Sequence, residues 1–286
     1  LYLCVRRITP PTISVFATVL WILMAYYFTQ TLLPWSSIFA LFFVTIGVWL
    51  LIHGGEKKSH SQQHYIYFCL SGIAFAAAFW SRQPYGIVAV TVALYFPIAL
   101  LDKSIPKLVA CERFLFFAFG FATLSTVFVG WFLVDRSFHD WWLQSILGAH
   151  SFASESSGGS IKIDHIVQLL FPNSTAFGSE NPSIVWRILP SLNLLIIFSV
   201  VVHLVVKRRQ TTPERSLLIL ALLGLGTWHQ YYPVQTIMHG YFGITPMIGT
   251  IVSGGFLLFR VLHFRDTTNF LCVFLLALAL FWNDIS

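Results

Sequence analysis

Two short polar links interrupt an otherwise apolar chain. The first, Trp80-Ser81-Arg82-Gln83-Pro84-Tyr85-Gly86, sets a lone guanidinium in a tight turn, because Pro and Gly make the change of direction abrupt. The second, Trp228 to Tyr241 (WHQYYPVQTIMHGY), carries His229, Gln230, Tyr231, Tyr232 and His239. The planar fork of Arg82 fits a phosphate oxygen. An imidazole at His229 or His239 adds a donor that is neutral or charged near pH 7. The glutamines and tyrosines beside them suit hydrogen bonding to an anionic or sugar-like ligand. A plainer reading stands next to each. Arg82 would be a headgroup anchor, the histidines interfacial hydrogen-bonding groups, and Trp228, Tyr231 and Tyr232 members of an aromatic belt.

A third polar region, Asp135–Ser183, runs for about fifty residues, a length at which loops usually carry function or are disordered. Within it Ser137–His150 has Phe138, Trp141, Trp142, Ile146 and Leu147 near helical spacing. Such a helix lies in the headgroup layer, with Trp141 and Trp142 either stacked on a sugar face or seated among headgroups. Ile161–Leu170 reads as a second short amphipathic helix, and Asn173-Ser174-Thr175 matches a glycosylation acceptor pattern. Asp135, Asp140, Glu155, Asp164 and Glu180 supply carboxylates. Asp135-x-x-x-His139-Asp140 is the one stretch that leaves a divalent cation open, by an unspecific spacing. No Walker loop, G-x-G-x-x-G, H-E-x-x-H or G-x-S-x-G occurs, so nucleotide-hydrolysing and common hydrolase chemistries have no support.

The elements that must position these groups follow from composition. Charged residues make up 10% of the 286, against about 25% in a soluble domain, and mean hydropathy is +0.76. That is too little charge to cover a water-exposed surface, so the fold class is an all-α, polytopic membrane protein. A helix needs roughly 20 apolar residues to cross the hydrocarbon core. About nine stretches qualify: Thr12–Thr29, Leu33–Ile52, His64–Trp80, Gly86–Leu101, Arg113–Val134, Ile184–Val206, Ser216–Trp228, Tyr241–Leu262 and Thr267–Trp282. They group as spans over 1–134, an extracytoplasmic loop over 135–183 containing amphipathic interfacial helices, and spans over 184–286. With a cytoplasmic N-terminus, all of the 17 Lys and Arg residues except Arg82, Arg136, Lys162 and Arg187 fall on the cytoplasmic side, as the positive-inside rule requires. The cytoplasmic links read as plain connectors. Cys4, Cys69, Cys111 and Cys272 are scattered and form no C-x-x-C pair. No basic stripe with interleaved aromatics points to nucleic acid.

The combination resembles the GT-C superfamily of membrane glycosyltransferases, in particular the bacterial branch related to protein mannosyltransferases and lipid A aminoarabinose transferases. Phe79 to Gly86 is similar to that family's Lys/Arg-Gln turn between two spans. Asp140-Trp141-Trp142-Leu143-Gln144 resembles its juxtamembrane helix. Gln230-Tyr231-Tyr232-Pro233, followed by His239 and Pro246, resembles its tyrosine-proline-to-histidine segment. The similarity covers about residues 65–250. It implies transfer of a sugar from a polyprenyl-phosphate donor at the extracytoplasmic face, most simply of a bacterial inner membrane. Arg82 and His239 would touch the donor phosphate, with His229 nearby. Gln83, Tyr85, Trp141, Gln230, Tyr231 and Tyr232 would line the pocket. Membrane lipid and the polyprenyl-linked sugar are the implied partners, nucleic acid is not, and no acceptor is specified. No definite cofactor is implied.

One departure matters. The family carries its catalytic acid in the first outer loop, whereas Gln30-Thr31-Leu32-Leu33-Pro34 has no carboxylate. The expectation is therefore a C-terminal fragment that begins at Leu1 and lacks the catalytic loop, or a protein that is not a catalyst; a third option is a catalyst in which Asp135 or Asp140 takes the base role. Two other classes compete: a transporter or flippase of an amphiphile, and a non-catalytic membrane assembly subunit.

Overall fold

In a computed structural model of the chain, the residues described are 1–29, 36–56, 62–83, 85–143, 184–231, 237–261, 267, 270 and 271. Long apolar runs have no water to satisfy their backbone, so they close their hydrogen bonds internally as helices. The described residues form α1 (Tyr2–Val5), α2 (Pro11–Thr29), α3 (Ser36–Glu56), α4 (Gln62–Ser81), α5 (Tyr85–Ala93), α6 (Tyr95–Ala99), α7 (Lys107–Val134), α8 (Phe138–Trp142), α9 (Ile184–Lys207), α10 (Thr212–Tyr231) and α11 (Ile237–Val261), with no strand among them. Among the described residues, three helices, over Phe39–Glu56, Gln63–Ser81 and Lys107–Val134, are long and apolar enough to cross a membrane.

Most apolar windows coincide with one helix each. The window Gly86–Leu101 does not: it is broken at Leu94 into α5 and α6. Pro97 has no N–H to give to the carbonyl of Ala93, four residues earlier, and α5 ends at that residue. Of the window Thr267–Trp282 only 267, 270 and 271 lie within the described residues, so that span falls largely outside them. So do the first outer link from Gln30 to Pro34, the second amphipathic segment Ile161–Leu170 and the Asn173 pattern.

Packing sets two layers of contact. α4 lies between α3 and α7, and its approach to α7 is backbone to backbone. A Cβ on Gly72 would sit 1.9 Å from the carbonyl oxygen of Phe117, and one on Gly120 would sit 2.0 Å from that of Cys69. Small residues are the usual means of close helix approach in a bilayer, where lipid offers no hydrophobic drive to associate. α10 is the central helix, contacting α5, α9 and α11. Its residues Leu217 to Leu223 are all buried, as a helix apolar on every side requires. α7 is peripheral: 11% of its span is buried, against 44% for the spans in α3 and α4. Its outward Leu115, Phe119, Val127 and Trp131 are suited to contact lipid tails.

One end of the bundle collects the basic links, and they interlock. Arg7 donates to Glu56 Oε2 and His53 Nδ1, both at 2.8 Å. His64 Nδ1 lies 2.9 Å from the Gly54 carbonyl, and its Nε2 accepts from Arg113 Nε at 3.0 Å. His64, with both nitrogens so engaged, is the neutral Nδ1–H tautomer. Asp102, fully buried, accepts from Ser104 N at 2.9 Å and Arg215 Nε at 3.0 Å. Arg215 also donates to the Gln210 carbonyl and to Ser104 Oγ. The two helix ends at Arg136 (φ 58°) and Arg208 (φ 54°) adopt the left-handed region that usually takes Gly or Asn.

Candidate functional site

The first polar link is built at the opposite end. α4 terminates with Arg82 N–H donating to the Ala78 carbonyl at 2.9 Å. Two tight turns follow, Tyr85 N–H to the Arg82 carbonyl at 3.0 Å and Gly86 N–H to the Gln83 carbonyl at 2.8 Å. Tyr85 is fully buried, and Arg82 and Gln83 are half-buried. The absence of a side chain at Gly86 lets α5 start against Phe79: a Cβ there would meet that ring at 3.1 Å. Burial pulls the Arg82 guanidinium below its ordinary pKa, and nearby Tyr85 opposes the shift. A cation short of solvent is the kind of group that gains from an anionic ligand.

Trp80 ties this link to the start of the long loop. Its Nε1–H donates to Ser125 Oγ at 3.1 Å, and its ring stacks on Phe128 with centroids 5.2 Å apart at 14°. α7 ends in the left-handed turn at Arg136, where Ser137 N–H reaches the Phe132 carbonyl at 3.0 Å. That turn folds α8 back so that Trp141 packs on Trp80 at 4.9 Å and on Phe132 at 5.8 Å. Trp141 is thus held ring to ring by its own chain, while Trp142 is 44% exposed. Of the two rings considered for a sugar face, Trp142 is the more exposed. Asp135 and Asp140 are exposed. Among the described residues no group of three His, Cys, Asp or Glu side chains comes together to hold a metal ion.

The second polar link approaches from α10 and α11. α10 runs antiparallel to α5: Arg215 pairs with Asp102 at one end, and a Cβ on Gly226 would meet Val88 and Thr91 further along. Continuing that register brings the last turn of α10, with His229, Gln230 and Tyr231, level with the start of α5. α11 begins again at Ile237, so His239 lies in its first turn. α10 and α11 are likewise antiparallel, since Gly249 approaches Leu220 and Gly224 approaches Met247. The backbone therefore returns His229, Gln230, Tyr231 and His239 to the end that holds Arg82, Gln83, Tyr85 and Trp141. Tyr232 lies outside the described residues.

The connectors at the basic end are not the plain links that their sequence suggests. The link between α6 and α7 buries Asp102, and the first turns of α4 and α7 beside the links bury His64 and Arg113. Nothing local announces this, because the partners lie far apart in sequence, 113 residues for Arg215 with Asp102 and 49 for Arg113 with His64. The chain matches no family model, no curated protein and no solved structure. Fold and site together define a class only: an all-helical protein with helices suited to a bilayer.

Proposed function

We propose that the chain is the membrane-embedded, donor-binding part of a glycosyltransferase that takes a sugar from a polyprenyl-phosphate donor. In this reading it crosses the membrane about nine times, with its N-terminus cytoplasmic and the Arg82 end extracytoplasmic, most simply in a bacterial inner membrane. The observation that carries the reading is the half-buried Arg82 beside the Trp80–Trp141 aromatic pair, at the end opposite the basic links. Arg82 holds the donor phosphate, and His239 and His229 add donors as the phosphate departs, where charge stabilisation lowers the barrier most. Gln83, Gln230, Tyr231 and Tyr232 shape the sugar side, and the fully buried Tyr85 backs the turn behind them. Trp141 supports the pocket from its stacked position.

A transporter would concentrate ionisable groups near the midplane. Asp102, Arg113 and His64, the buried groups of this kind among the residues whose burial is described, belong instead to the basic end. This favours the transferase. The test incubates the full-length protein in membranes with radiolabelled polyprenyl-phosphate sugar. Release of sugar from the lipid, with donor binding weakened at least about tenfold in Arg82→Ala, is expected, since a charge-assisted phosphate contact is worth about 1.5–3 kcal/mol. Sugar that never leaves the lipid, together with equal donor binding by wild type and Arg82→Ala, overturns the assignment.

A further inference from the structure

At the basic end, the link between α6 and α7 lies against the link between α9 and α10. The Lys103 N–H donates to the Arg208 carbonyl at 2.9 Å. Beneath that contact, Arg215 spans Asp102, Ser104 and the Gln210 carbonyl, fixing the two links as one seam. The seam sorts its charges. Asp102 is turned fully inward. Glu214 is occupied by the Thr211 N–H at 2.6 Å and by His203 at 3.4 Å. Lys103, Lys107, Lys207, Arg208 and Arg209 are left exposed, and among the described residues none of them forms an ion pair. Positive charge on connectors is enough to orient a membrane protein. Orientation does not require that the acids be withdrawn and the cations gathered on two touching links.

The surface next to these cations is apolar. Leu101 and Leu108 flank Lys103 and Lys107, Val205 and Val206 precede Lys207, and all four are exposed, Leu108 and Val206 at 71% each. The seam also buries a donor without an acceptor, Gln210 Nε2. Clustered cations that adjoin exposed aliphatic side chains match a molecule with a phosphate head and acyl tails. A soluble polyanion would leave the aliphatic half uncovered.

We propose that this seam is a binding site for an anionic phospholipid of the leaflet at the basic end. Its phosphate sits among Lys103, Lys107 and Arg208, and its acyl chains lie along Leu108 and Val206. The bound lipid joins the α6–α7 half to the α9–α10 half from outside, as the Asp102–Arg215 pair does from inside. The proposal is independent of the sugar-transfer reading, since it concerns the other end of the molecule.

The test uses the full chain in a neutral detergent, titrated with phosphatidylglycerol, with phosphatidylcholine of the same chains, and with inorganic phosphate. Native mass spectrometry counts bound lipid, and tryptophan fluorescence follows thermal unfolding. Phosphatidylglycerol is expected to bind and raise the melting temperature, with little response to phosphatidylcholine. Each surface cation near a charged headgroup contributes about fivefold in affinity. Arg208→Gln should therefore weaken binding about fivefold, and Lys103→Gln with Arg208→Gln more than tenfold. Arg208→Lys keeps the cation and should retain binding, which separates lost charge from lost fold. Arg136→Gln is the matched control, an exposed left-handed arginine at the far end, and should leave binding unchanged. Equal stabilisation by phosphatidylcholine or by free phosphate, or undiminished binding by the doubly substituted chain, overturns the proposal.

Discussion

The two ends of the bundle are held by different forces. At the basic end, ionisable side chains meet partners from distant parts of the chain: Arg7 with Glu56 at the surface, and Arg113 with His64 and Arg215 with Asp102 out of the water. At the other end the joints are aromatic. Trp80, Phe128, Phe132 and Trp141 stack across α4, α7 and α8, and Asp135 and Asp140 stay on the surface. Buried ion pairs are directional and costly to break singly, whereas ring contacts tolerate sliding between offset arrangements. The first end is built to stay in register. The second holds its short helix by ring contacts that are each worth less.

Substitutions can break or sharpen that contrast. The largest effect is expected from Arg215→Ala, which strands a buried carboxylate at Asp102; it should destabilise by about 3–5 kcal/mol in reversible detergent unfolding. A loss below 1 kcal/mol would mean that the basic end is not locked by this pair. Gly120→Ala comes next. Its methyl must displace the backbone of α4 at Cys69, and overpacking of this kind costs about 1–3 kcal/mol. Trp141→Ala removes ring contacts worth about 1 kcal/mol. It should leave the global melting temperature nearly unchanged while hydrogen exchange over 138–142 accelerates. If exchange over 107–120 rises as well, the aromatic end is not separable from the rest. The smallest effect belongs to Arg7→Gln, a partly exposed pair with Glu56, at about 0–1 kcal/mol. A larger loss would show that the α1–α3 joint is as essential as the Asp102 pair.

The comparison also shows what sequence alone can reveal. Helix positions were readable, α4 and α7 in particular, because a bilayer-length apolar run has a single way to satisfy its backbone. The break at Leu94 was readable in principle from Pro97, but an unbroken apolar run hides it. The gathering of Arg82, Gln83 and Tyr85 in one turn is local and visible in their spacing. The stacking of Trp141 on Trp80 is not, since it depends on the left-handed turn at Arg136 folding α8 back. The buried cluster at the basic end was least visible. Asp102 and Arg215 look like solvated link residues, and His64 and Arg113 like the ends of spans; only the tertiary pairing distinguishes them from Lys103 or Arg209.

The two arginines with positive φ have a consequence for evolution and for engineering. A left-handed backbone costs a residue that carries a Cβ about 1 kcal/mol relative to glycine, so Arg136→Gly and Arg208→Gly should each make the fold slightly more stable. The chain keeps a less relaxed turn and retains a guanidinium at both sites. Selection for raw thermostability would drift toward glycine there, and at Arg208 the improved fold would come at the loss of one cation of the proposed lipid seam.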